Sequence, residues 1–170
     1  MYHVDQLKPG DILLMTHRAG SPWWDALLDA AIAWSTASPW VHAALVGEGV
    51  LINPLWHVVK MPLETYMTNG TIFRAMDSTP QQRQNAVHWA VAHFGQAYGV
   101  KELLSDAARF DLHWIPRWRH HLQYFTCSGF VAQAYLEAGY PLTLAPFPAP
   151  SDLAASPRLT PLLAGENTHP

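Results

Sequence analysis

The chain of 170 residues has one cysteine, Cys127, within YFTCSGFVAQAYLEAGY (124–140). A lone thiol is often a small buried hydrophobe and nothing more. Its neighbours suggest a different use. Thr126 and Ser128 are both able to cap a helix, and Phe130, Val131, Ala134, Tyr135 and Ala138 recur with helical spacing, so a helix is expected to begin at or beside the sulfur. At that position the unpaired N–H groups and the positive end of the helix dipole favour a thiolate over a thiol. The same N–H groups can hold a developing oxyanion, so Cys127 sits where a nucleophile gains most.

A thiol nucleophile needs a base within hydrogen-bond reach, and the base needs a polar group to hold its tautomer. Ten histidines compete for the first role. His42 stands out because it interrupts the apolar run VHAALV, although a hydrogen-bonded core histidine would read the same way. For the third role Asn53 and His57 compete; the hairpin around 47–49 would bring Asn53 across the ladder from His42, whereas Pro54 interrupts pairing before His57. An asparagine carbonyl can orient an imidazole, but it brings no negative charge to stabilise an imidazolium. A metal is not expected: there is no HExxH pair, only one cysteine, and His88 and His93 are five apart, off a common helical face. His120 and His121, with Arg117 and Arg119, read as a basic loop close enough to the cysteine to line a site.

The elements that must position these groups are readable from punctuation and period. LKPGDILLMTH gives a Pro-Gly turn and a strand over 11–16, followed by a helix from 21 to about 35. His42 falls in a hairpin, with strands over 41–46 and 50–53 around a tight turn at 47–49, and further strands are expected over 58–61 and 70–76. From Thr79 the period becomes helical, with Pro80 at the first turn and Ala86, Val87, Ala90, Val91 and Phe94 on one face, ending at Gly95. A short helix is expected within YGVKELLSDAARF. The proline-rich stretch after Gly139 is expected to be ordered by packing, and 161–170 to be a mobile tail. Strands grouped together with helices before and after them indicate an α+β fold in one domain over 1–160.

Composition narrows the function. Hydrophobic residues make up 49% and charged residues 14%, which excludes a disordered chain, and a net charge of −3 offers no basic field for nucleic acid. No apolar run approaches the roughly 18–20 residues needed to span a bilayer, and the first ten residues lack the apolar stretch of a signal peptide. A cytoplasmic location is the default expectation, with phage-encoded or non-classical export as the other routes. Nothing in the sequence speaks to self-association.

Two blocks resemble the NlpC-type papain-fold cysteine hydrolases. GQAY (95–98) before TCSGFV (126–131) is similar to that family's Gly-x-x-Tyr segment and Cys-Ser-Gly-Phe-Val motif. LKPGD (7–11) before HAALVGEGVLIN (42–53) is similar to its Leu-x-Pro-Gly-Asp strand, histidine-opened strand and Gly-x-Gly turn. The histidine block comes first here, the inverted order of the circularly permuted branch that includes YiiX-like hydrolases and is similar in arrangement to the lecithin:retinol acyltransferase-like proteins. PSDL (150–153) also resembles that branch's tail. Thr126 stands where the family commonly has Asp, and Asn53 where it has His, Glu or Gln.

The resemblance implies a permuted papain-like fold, an antiparallel sheet packed against helices with the nucleophile at a helix N-terminus. It implies Cys127 as nucleophile, His42 as base, Asn53 as orienting residue, the Cys127 or Ser128 N–H as oxyanion donor, and Tyr98 at the pocket's border. No cofactor is required. The expected reaction is hydrolysis of a peptide amide, such as a cell-wall peptide, through a thioester. The alternatives are a lipid-directed acyltransferase or esterase using the Trp-rich segment 22–40 as an acyl surface, and a noncatalytic papain-fold binding module.

Overall fold

The computed structural model describes residues 6–16, 37–55, 57–66, 70–96, 126–146 and 148–162. Six strands are present among them: β1 (Ile12–Met15), β2 (His42–Val46), β3 (Leu51–Pro54), β4 (Val58–Met61), β5 (Gly70–Ala75) and β6 (Leu159–Pro161). They form one sheet in the order β4-β3-β2-β1-β5-β6, with every pairing antiparallel. Three helices accompany it: α1 (Pro80–Ala92), α2 (Cys127–Glu137) and the short α3 (Pro150–Ala154). The class is α+β.

β1 to β5 match the sequence expectation to within a residue or two. β2 and β3 are joined by a turn in which the Gly47 N–H donates to the Val50 carbonyl at 2.8 Å. Gly49 supplies its positive φ of 69°. The proline-rich segment holds two elements that its sequence did not suggest, α3 and β6. β6 pairs with β5, and the Leu162 N–H donates to Ile72, so the sheet extends two residues into the segment expected to be a tail. The helices expected within 21–35 and 98–110 lie outside the described residues.

Central strands β1 and β2 are buried along their whole length because both faces of the sheet are covered. Ile12, Leu14, Ala43, Leu45 and Ile52 pack on α1 and α2; Leu13, Met15, Ala44, Val46 and Leu51 pack on the reverse side with Leu63 and Leu7. Val91, expected on the core face of α1, is 40% exposed. Phe130 of α2 packs against Trp89 and His93 instead, and Val91 lies roughly 200° around the helix from Trp89.

Helix direction is set by tethers at both ends. The Gln82 side chain, in the first turn of α1, donates to Gly139 beyond the end of α2, whereas Trp89 and His93 near the end of α1 meet Phe130 in the first turn of α2. The two helices therefore run antiparallel. After α1, the Gly95 N–H donates to Val58 at 3.0 Å and the Val58 N–H to Gln96 at 3.2 Å, fixing that end beside the start of β4. At the other end the Tyr135 hydroxyl donates to the Gly10 carbonyl, and the Gly10 N–H donates to Val46 at 2.8 Å. Gly10 has a φ of 91°, and a Cβ there would stand 2.6 Å from the Arg83 Cβ, so only glycine fits this joint.

The Tyr135 hydroxyl is fully buried, and burial first, then the nearby Asp11 charge, raises its pKa well above the ordinary tyrosine range. The folded state holds a proton that the unfolded chain releases above pH ~10, so this contribution is full below that pH and is lost as pH rises further. Tyr135→Phe leaves the Gly10 carbonyl without its donor and is expected to cost about 1–3 kcal/mol in urea unfolding at pH 7. The variant should lose less of its remaining stability than the parent between pH 9 and 11. A parallel alkaline loss in both proteins would contradict that assignment.

Candidate active site

Cys127 is the first residue of α2 and is partly exposed. Thr126 caps the helix as expected, its Oγ1 accepting the Gly129 N–H at 2.9 Å. The other candidate cap, Ser128, does something different: it is fully buried and its hydroxyl donates to the Pro148 carbonyl at 2.6 Å. Its side chain is thus committed to holding the helix start against the segment that leads into α3. Its backbone N–H has no carbonyl partner within the helix and remains the group suited to an oxyanion.

The tethers decide where this N-terminus points. Tyr135 sits beside the Val46 end of β2, and eight helical residues back to Cys127 span about 12 Å. The four steps of β2 from Val46 to His42 span about 13 Å. The far end of α1 fixes the direction, because Phe130 packs there and that end is bonded to the start of β4, which pairs with the end of β3. Cys127 therefore lies at the His42 end of the sheet.

His42 is 3% exposed and Asn53 is fully buried. His42 Nε2 stands 2.6 Å from Asn53 Oδ1, and the Asn53 amide donates from Nδ2 to Met61 Sδ at 3.2 Å. With the amide oxygen turned to the ring, Nε2 carries the proton and Nδ1 keeps the lone pair in the neutral ring. The contact is diagonal, not the directly paired one the sequence suggests. The observed pairs Leu45↔Ile52 and Val46↔Leu51, continued by one, put Asn53 opposite Ala44, two residues from His42. His57 is exposed beyond the turn in which the Leu55 N–H donates to its carbonyl, and takes no part in this contact.

The faces of the sheet add a constraint. His42 is paired with Met15, and directly paired residues share a face; Met15 belongs to the core on the side away from α2. Ala43, its neighbour, packs toward the helices. The imidazole and the thiol thus belong to opposite layers at the same end of the sheet. Tyr98 and most of the Trp-rich segment lie outside the described residues. Of that segment Trp40 is described, packed edge-on against Phe73 with centroids 5.9 Å apart. Met61 is the residue sequence reading missed: it looks like any alternating apolar position of an edge strand, and nothing in its spacing marks a partner for Asn53.

No protein-family model and no curated protein sequence matches the chain. Among solved structures it is similar to the crystal structure of metalloprotein YiiX from Escherichia coli O157:H7, with a TM-score of 0.65 and 16% identity over 94% of this chain and 98% of that one. The chain has a YiiX-like fold. Among its described residues no helix is long and apolar enough to cross a membrane, and no group of three or more His, Cys, Asp or Glu side chains is placed to hold a metal ion.

Asn53→Ala removes the acceptor of a buried N–H and is expected to cost about 1–3 kcal/mol in urea unfolding. His57→Ala, on the surface, should stay within about 0.5 kcal/mol of the parent. Equal losses would mean that the His42–Asn53 contact contributes nothing to the fold.

Proposed function

We propose that the chain is a cysteine-nucleophile hydrolase of the permuted papain-like type that cleaves a peptide amide. The observation that carries this reading is the buried His42–Asn53 contact at the end of the sheet to which the tethers of α2 bring Cys127. In this scheme Nδ1 of His42 takes the thiol proton and the sulfur attacks the amide carbonyl. The tetrahedral oxyanion faces the Ser128 N–H. Collapse breaks the C–N bond as the imidazolium returns the proton to the leaving amine, and a thioester remains. Water, deprotonated by His42, then attacks the thioester, releasing the acid and regenerating the thiol.

The name of the YiiX structure describes a metalloprotein. The described residues of this chain do not fit such a group, since they place no three ligands together, and the scheme routes no step through a metal. A second reading has an observation of its own. Because His42 shares a face with Met15 and not with α2, the His42–Asn53–Met61 contacts also suit a satisfied polar pair inside a noncatalytic binding module.

Alkylation of Cys127 by iodoacetamide, followed by mass spectrometry, separates the two. With His42 as its base, Cys127 should react at pH 7 at least about tenfold faster in the parent than in His42→Gln, at the low end of what a general base contributes. Equal rates on cooperatively folded variants would favour the binding module. Turnover of a peptide amide should vanish in Cys127→Ala, and retained turnover would remove the nucleophile's role.

Incubation with EDTA should leave both alkylation and turnover unchanged. Loss that zinc restores would bring a metal into the site.

A further inference from the structure

Asn53 is fully buried, and its amide has two ends that differ in chemistry but hardly in shape. Turned one way, it offers oxygen to His42 and requires Nε2–H. Turned the other way, it offers N–H to His42, requires a bare Nε2, and moves the proton to Nδ1. Only the first leaves Nδ1 able to accept a proton from a thiol. The His42 contact cannot choose between them, since a neutral imidazole satisfies either.

The choice is made on the far side of the amide. The group there is the Sδ of Met61, 3.2 Å from Asn53 Nδ2. A thioether accepts and never donates, so it pairs with the N–H end of the amide; the flipped amide would set its oxygen against the sulfur, two acceptors with no proton between them. Met61 stands directly opposite Leu51 in the β3–β4 ladder and packs on the same core as Met15, the residue paired with His42. The register of two strand pairs thus lines up sulfur, amide and imidazole in one row.

We propose that Met61 is a positioning residue that fixes the flip of Asn53 and, through it, the Nε2–H tautomer of His42. The inference concerns the tautomer; its consequence for catalysis rests on the hydrolase reading above.

Long-range proton–nitrogen spectra of the imidazole, recorded above the histidine titration, read the tautomer without any substrate. The parent should show His42 as Nε2–H. Met61→Leu keeps the volume and removes the acceptor, and should raise the Nδ1–H population to at least about a tenth, because it withdraws a weak acceptor and not a strong one. The same substitution made in an Asn53→Asp background should change nothing, because a carboxylate offers oxygen from either end. A tautomer unmoved by Met61→Leu overturns the inference, as does an equal shift in both backgrounds, which would mark a packing effect. Should Met61→Leu fail to fold, Met61→Ile removes the sulfur by another route. In the parent itself, slow solvent exchange of the Asn53 amide protons should report the contact to sulfur, and fast exchange would count against it. If the tautomer shifts as stated but Cys127 alkylation is indifferent to His42, the positioning role stands and the hydrolase reading fails. If both hold, kcat in Met61→Leu should fall by the fraction of His42 that leaves the Nε2–H tautomer, with KM little changed, as expected when a base is present but partly in the wrong tautomer.

Discussion

The joint at Gly10 holds the molecule's two layers in register. Tyr135 reaches from α2 to the Gly10 carbonyl, and Gly10 in turn reaches β2 through Val46. One residue later Asp11, fully buried, receives both arms of Arg74 from β5 at 2.7 and 2.6 Å and the Lys8 N–H at 2.8 Å. A helix, three strands and an ion pair, its carboxylate fully buried and its guanidinium partly exposed, therefore meet within two residues. Removing one partner of such a pair leaves a desolvated charge, which is far more costly than losing a surface bridge. The consequence reaches the other end of the molecule: because Tyr135 is pinned here, the first residue of α2 must stand about 12 Å away, at the opposite end of β2.

A second tyrosine makes the direction of α2 hard to reverse. Tyr140, just past the end of α2, donates to the Met76 carbonyl after β5, and its ring packs edge-on with Tyr135. Ser128 ties the start of the helix to Pro148, while Leu153 of α3 is fully buried in the helix-side core. The proline-rich segment is thus a strap running from the end of α2 back beneath its beginning. The partly exposed cysteine at the head of α2 is thereby held between fixed points.

Much of this was legible because it was written locally. Pro-Gly and Gly-x-Gly punctuation mark β1 and the β2–β3 turn, Thr79-Pro80 marks α1, and Thr126 with its spaced apolar residues marks α2. His42 was conspicuous as a polar residue in an apolar strand, and Asn53 followed from the hairpin. What failed to show was written across the chain. Asn53 was expected to pair with His42, but the ladder sets it opposite Ala44, a shift of two residues that keeps the shared face, and no local signal fixes that register. Val91 fits the apolar period of α1, yet the rings of Trp89, His93 and Phe130 set the contact elsewhere. α3 and β6 are too short for any period to declare them, and β6 exists because β5 has an edge to pair with.

The position of His42 within β2 bears on both readings of the site. A strand residue normally serves one face, and the ladder separates it from whatever packs on the other. His42 is the first residue of β2 and pairs with Met15, the last of β1, so the ladder stops where the ring begins. At the Ala44 position, one pair inward, an imidazole would face Asn53 directly but would be enclosed by β1 and β3 on both sides. The diagonal contact to Asn53 holds Nε2 toward the interior and leaves the opposite edge of the ring directed away from it. On the proposed hydrolase reading, a histidine that must serve a helix layer and a strand layer at once can do so only where the sheet ends, and the tethers of α2 bring the thiol to that end.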